Sequence, residues 1–264
     1  MGKNIIFCVI SSKDSKKASN MIKTFLKYHK DWDYCIYTLG NFYTFGIKSE
    51  NVDNLSTPSM RDDFEKCECL RFKIASMLLE KYEKVLYCDS DIMFFDRIPE
   101  YDKPICLTKH ILNTGKVNNL MLHLDRFHVG GFINIGFMLF NKHSDSIKFC
   151  NTIFESGVLR KCDALDCKNR IRLQPLVSHI PYMGLSYCFI DEPGVNVAYW
   201  RLDGDVDVNE NDDKFFVNGF PLVCFHFSGY IGDDRLCRFN NHRAIQYGPV
   251  VYKILSLYKE CLKK

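Results

Sequence analysis

The chain opens with a strand-like apolar run, 4-NIIFCVI-10, and reaches the next one, 34-YCIYTL-39, by way of a helix. Between the two, Ala18, Met21, Ile22, Phe25 and Leu26 recur at helical spacing, while Lys16, Lys17, Lys23, Lys27 and Lys30 occupy the opposite face. Strand, amphipathic helix and strand in that order make a β-α-β unit, which commits a chain to an α/β architecture with a parallel sheet flanked by helices. The alternation continues downstream. Phe64, Cys67, Leu70, Ile74, Met77 and Leu78 mark a second helix ending near 80-EKYEK-84, and 85-VLYC-88 follows as a strand. Further strands are expected over 104–108, over 132-FINIGFMLF-140 behind Gly130-Gly131, and near 186–190 and 222–227, with helices over 145–157 and 248–262. Residues 40–60 read as loop, 109–130 as a long connection, and 201–214 as an irregular insertion containing the acidic, turn-rich 203-DGDVDVNENDD-213. With no repeat, low-complexity stretch or linker, residues 1–264 read as one domain.

Composition narrows the function classes. Against 32 acidic residues, 35 Lys and Arg leave a net charge of +3, too near balance to imply nucleic acid as a partner. No apolar run approaches the ~18 residues of a membrane span. The lysine face of the first helix is either simply solvated or touches an anionic membrane surface from outside. The 13 cysteines form no paired CxxC spacing, so a zinc cluster is not expected. Their odd number, in a chain this long with no signal peptide ahead of the first strand, reads as reduced and cytoplasmic.

Four Asp-x-Asp triplets occur, and context separates them. Asp31-Trp32-Asp33 lies in a loop, and the overlapping triplets of Asp203, Asp205 and Asp207 lie in a polar segment. Only Asp89-Ser90-Asp91 ends an apolar strand and is followed at once by another apolar run, 92-IMFF-95. Ligands of open α/β sheets bind beyond the carboxyl ends of the strands. A hard divalent cation held there by carboxylates keeps positions open for diphosphate oxygens. Far downstream, 222-LVCFHFSGY-230 places His226 inside a strand-like run; it is either a hydrogen-bonded core histidine or a ligand that suits Mn²⁺ and similar ions better than Ca²⁺. Gly229 behind it lets backbone approach a phosphate closely.

Taken together, 68-ECLRFKIASMLLEKYEKVLYCDSDIMFF-95, 133-INIGFMLFN-141, 196-NVAYW-200 and 225-FHFSG-229 resemble the GT-A-fold glycosyltransferases, the nucleotide-diphospho-sugar transferases. The likeness is to a bacterial group loosely similar to glycosyltransferase family 8, and it runs in consistent order over about residues 4–230. The resemblance implies a GT-A fold with a central mixed, mostly parallel sheet. It implies a metal-dependent transferase moving a sugar from a nucleotide-diphosphate donor, by default a UDP-sugar, to a glycan, lipid-linked or protein acceptor. Asp89, Asp91 and His226 would hold Mn²⁺ or Mg²⁺. Ser11 and Ser12 would lie near the base, Ser90 and Gly229 against the donor, and Arg71 or Lys73 toward the diphosphate or the donor sugar. Asn134 and Gly136 would line the floor beneath that sugar, while Asn196 and Trp200 would shape the pocket wall.

Two departures from the pattern carry consequences. Relatives of this kind tend to have an Asp-Gln pair about two dozen residues before the Asn-Val-Ala-Tyr-Trp element, and a gapless count places Leu173-Gln174 there. On that count the resemblance implies that Gln174 would stand near the reacting carbon and that the acid's role would pass to Asp163, Asp166 or Asp191, or else that the chain is a non-catalytic or weakened binding relative. The lysine expected after the His-x-x-Gly segment is also missing, leaving Arg235 or Arg238 to hold phosphate. A phosphotransferase of the haloacid dehalogenase type also places Asp-x-Asp at a strand end, although usually at the first strand.

Overall fold

The computed structural model describes residues 3–57, 60, 62–110, 131–158, 173–202, 206–230 and 247–263. A seven-stranded sheet has the spatial order β3-β2-β1-β4-β7-β6-β8. Its members are β1 (Asn4–Ile10), β2 (Asp33–Thr38), β3 (Ser49–Asn51), β4 (Lys84–Cys88), β6 (Ile105–Lys109), β7 (Ile133–Asn141) and β8 (Tyr187–Ile190). Neighbours run parallel except at β7, which is antiparallel to both β4 and β6. The sheet is therefore mixed and mostly parallel, as the resemblance implies, and the opening β-α-β unit accounts for its parallel part.

Burial on both faces explains why these strands are apolar without a break. Ile5, Phe7 and Val9 of β1, with Val85 and Tyr87 of β4, pack toward α2 (Asp63–Leu79) and α3 (Ser144–Val158). The alternate residues Ile6, Cys8, Ile10, Leu86 and Cys88 pack toward α1 (Ser15–Leu26). Helix α2 starts at an N-cap: the Asp62 carboxylate accepts from the Glu65 backbone N–H at 3.0 Å. Sandwiched between sheet and α3, it buries residues on nearly every side, although Phe64 and Met77, expected on the inner face, are exposed.

A third apolar cluster stands beside the sheet. It joins β12 (Cys224–His226) to α6 (Pro249–Lys263), with Phe227 stacked on Tyr258 at 3.8 Å between ring centroids. The strand β12 pairs antiparallel with β5 (Ile92–Phe94), opposing His226 to Ile92. Residues 201–214 are not merely an irregular insertion. A three-stranded antiparallel meander of β9 (Val208–Asn211), β10 (Lys214–Val217) and β11 (Phe220–Pro221) starts there. Asp212-Asp213 and Asn218-Gly219 all have positive φ, the conformation two-residue hairpin turns require. Within 40–60, read as loop, Ser49–Asn51 adds an edge strand to β2. Two short helices, α4 (Leu173–Val177) and α5 (Tyr199–Leu202), were not anticipated either. The cysteines among the described residues are all free, and among those residues no helix is long and apolar enough to cross a membrane.

One buried histidine ties the α1 layer to the loop after β5. His29 stacks on Phe25 at 4.4 Å and accepts from the Ile98 N–H at 3.0 Å through Nε2, which requires the neutral ring. Burial, with Arg97 nearby, lowers its pKa from 6.5 to about 4. The unfolded chain therefore binds this proton first on acidification, and stability falls between pH 6.5 and 4, by up to about 2 kcal/mol after allowance for solvent screening. Urea unfolding at pH 7 and pH 4.5 should show a smaller pH dependence in His29→Gln than in the wild type; equal dependences would refute this account.

Candidate metal centre

Alternation along β4 decides where its terminal acid points. Tyr87 faces α2, so Asp89, two residues on, faces the same way and meets Arg71 of α2. The Arg71 guanidinium donates through one nitrogen to Asp89 Oδ1 at 3.2 Å and to the Ile135 carbonyl at 3.1 Å, and lies 4.5 Å from the centre of the Tyr87 ring. Burial opposes the charge on Arg71, but Tyr87, Asp89 and Glu68 raise its pKa, so the cation persists. The Tyr87 hydroxyl, its pKa pushed up chiefly by burial, donates to the same Oδ1 at 2.6 Å. With Oδ1 doubly engaged, Oδ2 turns toward His226, whose Nε2 lies 3.8 Å away.

Asp91 lies in the turn between β4 and β5, and its backbone carbonyl accepts from the Phe227 N–H at 2.8 Å, closing the turn onto the end of β12. His226 Nε2 stands 3.1 Å from Asp91 Oδ1. Burial would raise the Asp91 pKa, yet the His226 imidazole beside it holds it below the usual carboxylate range. Burial would likewise lower His226, and Asp91 followed by Asp89 outweighs that and raises it. One ligating atom from each of Asp89, Asp91 and His226 lies within 4.8 Å of the others. Two carboxylates and an imidazole converging at that spacing suit a divalent ion such as Mn²⁺ or Mg²⁺.

Two further features fit the residues to an ion. A Cβ on Gly136 of β7 would come within 2.5 Å of His226 Cε1 and 2.7 Å of Asp89 Oδ2, so this position must lack a side chain for the ligands to converge. Behind His226, its Nδ1 lies 3.1 Å from Asn196 Oδ1. Asn196 is fully buried, in the left-handed region at φ +54°, and its Nδ2 donates to Thr108 Oγ1 at 2.7 Å and Asn134 Oδ1 at 3.0 Å. Asn134 Oδ1 also accepts from the Gly136 N–H at 3.0 Å. The β6–β7 register jumps between the pairs Leu107–Met138 and Thr108–Asn134, and this irregularity brings both side chains to Asn196.

The other residues singled out from the sequence are placed as follows. Ser11 and Ser12 leave the carboxyl end of β1, beside the parallel β4 that ends in the acid pair, and Ser90 is half-buried between the acids. Gly229 adopts φ +73° just past β12. Arg71 is buried rather than on an exposed helix face, and its guanidinium orients Asp89. Lys73 points elsewhere: its ammonium lies 5.6 Å from the centre of the Phe154 ring on α3. Gln174 in α4 accepts from the Ile135 N–H through Oε1 at 3.4 Å, and its Nε2 lies 3.3 Å from His110 Nε2. Leu173, where relatives tend to carry an acid, is packed into the core. Asp191 is exposed at the end of the edge strand β8 and forms an ion pair with Lys109 at 2.6 Å. Trp200 packs edge-on against both His226 and His110, with ring centres 5.3 and 5.2 Å away. Gly130, Asp163, Asp166, Arg235 and Arg238 lie outside the described residues.

Sequence reasoning missed Glu68, Tyr87, Thr108 and His110. Glu68 is buried on α2 and accepts from the Leu173 N–H at 3.2 Å, where α4 begins. Its only sequence signal is a position three residues before Arg71, on the same helix face.

No family model matches the chain. The uncharacterized protein YfnF of Bacillus subtilis (strain 168) is 26% identical over 191 residues, covering 69% of this chain; the chain thus spans about 62% of the length of that relative. Among solved structures, the galactosyltransferase LgtC, in complex with donor and acceptor sugar analogues, superposes with a TM-score of 0.54 at 13% identity, over 98% of this chain and 95% of its own. An active-site mutant of LgtC, a glutamine changed to glutamate, superposes at 0.54 with 12% identity, over 96% and 95% of the two chains. The fold is accordingly that of the GT-A-like glycosyltransferases.

Replacing Gly136 with alanine forces Asp89 and His226 apart. Gly136→Ala is expected to cost on the order of 1–3 kcal/mol from overpacking and to weaken Mn²⁺ binding by about 100-fold, the upper range for outer-shell changes. Calorimetric titration with Mn²⁺ measures this, and unchanged affinity in the folded variant would show that the three ligands do not act together.

Proposed function

We propose that this chain is a metal-dependent glycosyltransferase that moves a sugar from a nucleotide-diphosphate donor, a UDP-sugar by default, to a hydroxyl of a glycan, lipid-linked or protein acceptor. The observation that carries the reading is the convergence of Asp89, Asp91 and His226 at the carboxyl end of β4, within a GT-A-like fold. That fold removes the haloacid dehalogenase alternative.

The three ligands hold Mn²⁺ or Mg²⁺, which when bound acts as a Lewis acid toward the charge developing on the departing diphosphate. Arg71 and Tyr87 fix Asp89 so that Oδ2 faces the ion. Ser11 and Ser12 lie toward the nucleotide, and Ser90 and Gly229 bring backbone close to its phosphates. Asn134 and Gly136 form the floor beneath the sugar. Gln174 stands near the reacting carbon, in keeping with the active-site glutamine named for LgtC. Asp191, Asp163 and Asp166 are the acids offered to the acceptor; Lys109 holds Asp191 in place. Arg235 and Arg238 take the part of the missing phosphate lysine. We place the protein in the cytoplasm as a single domain, with peripheral membrane contact through the lysine face of α1.

A second reading rests on Leu173. Its buried, apolar side chain removes an acid expected beside Gln174, and a non-catalytic sugar-nucleotide-binding relative would tolerate that loss. Metal-dependent donor hydrolysis or transfer separates the two readings.

Thermal shift with UDP, GDP, dTDP and CMP, each with and without Mn²⁺, tests donor binding, since a ligand specific to the folded state raises its stability by mass action. One nucleotide is expected to raise Tm only with Mn²⁺, and Asp91→Asn to abolish the shift. A folded protein that no nucleotide stabilises at saturating Mn²⁺ would sink the proposal.

A further inference from the structure

His110, at the end of β6, belongs to none of the roles above, yet it stands where the Gln174 side and the metal side of the site meet. Its Nδ1 lies 3.0 Å from the Gly131 carbonyl. A carbonyl only accepts, so Nδ1 carries a proton. Its Nε2 lies 3.2 Å from Asn134 Nδ2 and 3.3 Å from Gln174 Nε2.

Backbone groups determine which way round both carboxamides face. The Gly136 N–H donates to Asn134 Oδ1, and the Ile135 N–H to Gln174 Oε1, so both amide nitrogens turn toward His110. Two N–H donors converging on Nε2 require a lone pair there. The ring is therefore neutral, with its proton on Nδ1. From Asn134 the same logic runs on to the ion site. Asn134 Oδ1 accepts from Asn196 Nδ2, which leaves Asn196 Oδ1 to accept from His226 Nδ1. With a proton fixed on Nδ1, His226 can give up the one on Nε2 and present that lone pair to a metal. Every hydrogen bond from His226 through Asn196, Asn134 and His110 to Gly131 donates in one direction.

We infer that His110 is a positioning residue: as a neutral imidazole protonated on Nδ1, it joins the Gln174 and Asn134 carboxamides and, through Asn196, aligns His226 for metal. This rests on the metal reading of Asp89, Asp91 and His226, but the protonation pattern can be read without any metal.

Long-range ¹H–¹⁵N spectra of the metal-free, histidine-labelled chain, with His110 assigned by its loss in His110→Gln, should show the Nδ1–H tautomer; the Nε2–H tautomer would overturn the inference. Mn²⁺ alone is the second probe. His110→Phe is expected to bind it about tenfold more weakly, the lower range for outer-shell changes. His110→Gln can accept through Oε1 and donate to Gly131 through Nε2, and should recover most of that loss. A folded phenylalanine variant with wild-type affinity, or a glutamine variant as weak as phenylalanine, would also overturn it. If His110→Phe fails to fold, the wild-type spectrum and the His110→Gln affinity decide. Absence of Mn²⁺ binding by the wild type would sink the metal reading, while the tautomer spectrum would still decide the state of His110.

Discussion

Asn196 ties the third apolar cluster to the main sheet beside the candidate metal centre. Its carboxamide bonds to Thr108 on β6, Asn134 on β7 and His226 on β12, three strands far apart in sequence. Leaving such a group unpaired in the interior costs about 1–3 kcal/mol. Here both amide hydrogens and the oxygen are used, so polar satisfaction and strand placement enforce each other. The left-handed backbone at Asn196, which asparagine tolerates better than most residues, turns the chain so that its side chain enters the junction. His226 therefore faces Asp89 and Asp91 because of a turn thirty residues away.

The acid pair illustrates how a fold holds like charges at close range. Asp89 is engaged from behind by Arg71 and Tyr87, and Asp91 by His226, so each carboxylate has its own compensating partner. Removing one member of this partly buried arrangement leaves the others uncompensated, and this makes the cluster costly to disturb. The same arrangement leaves the site poised for a cation, since His226 contributes either a proton or a lone pair at the same atom.

Much of this was legible where local pattern and final environment agree. The unbroken apolar runs of β1, β4 and β7 announced two-sided burial, and Asp89 and Asp91 stood out because they end such a run. His226 was readable for the same reason, as a polar side chain within an apolar strand. Helix and meander assignments failed where a tertiary neighbour or a turn decided the outcome. Phe64 and Met77 fit the helical period of α2 but lie outside the faces that the sheet and α3 cover. The β9–β10 hairpin is hidden in an acidic stretch because its turn uses Asp212-Asp213, whereas Asn218-Gly219, a pair favoured in such turns, marks the β10–β11 turn in the sequence itself. His110 and Thr108 carry no local mark at all, and Glu68 carries only its i, i+3 spacing from Arg71. Their significance arises only when a register irregularity and two docked helices bring distant polar groups together.

Helix α2 shows why the two halves of the site form one unit. Glu68 and Arg71 are three residues apart and share a face, yet they serve different ends of the centre. Arg71 reaches across to Asp89, while Glu68 receives the Leu173 N–H and anchors the start of α4, from which Gln174 projects. The Leu173 side chain itself packs into the apolar core, 3.0 Å from where a Cβ on Gly157 of α3 would lie. An aspartate there would put a carboxylate among these apolar groups, and burial disfavours its charged form. The missing acid is a consistent feature of this chain's own packing, and a single helix sets the spacing between the candidate ligands and the glutamine.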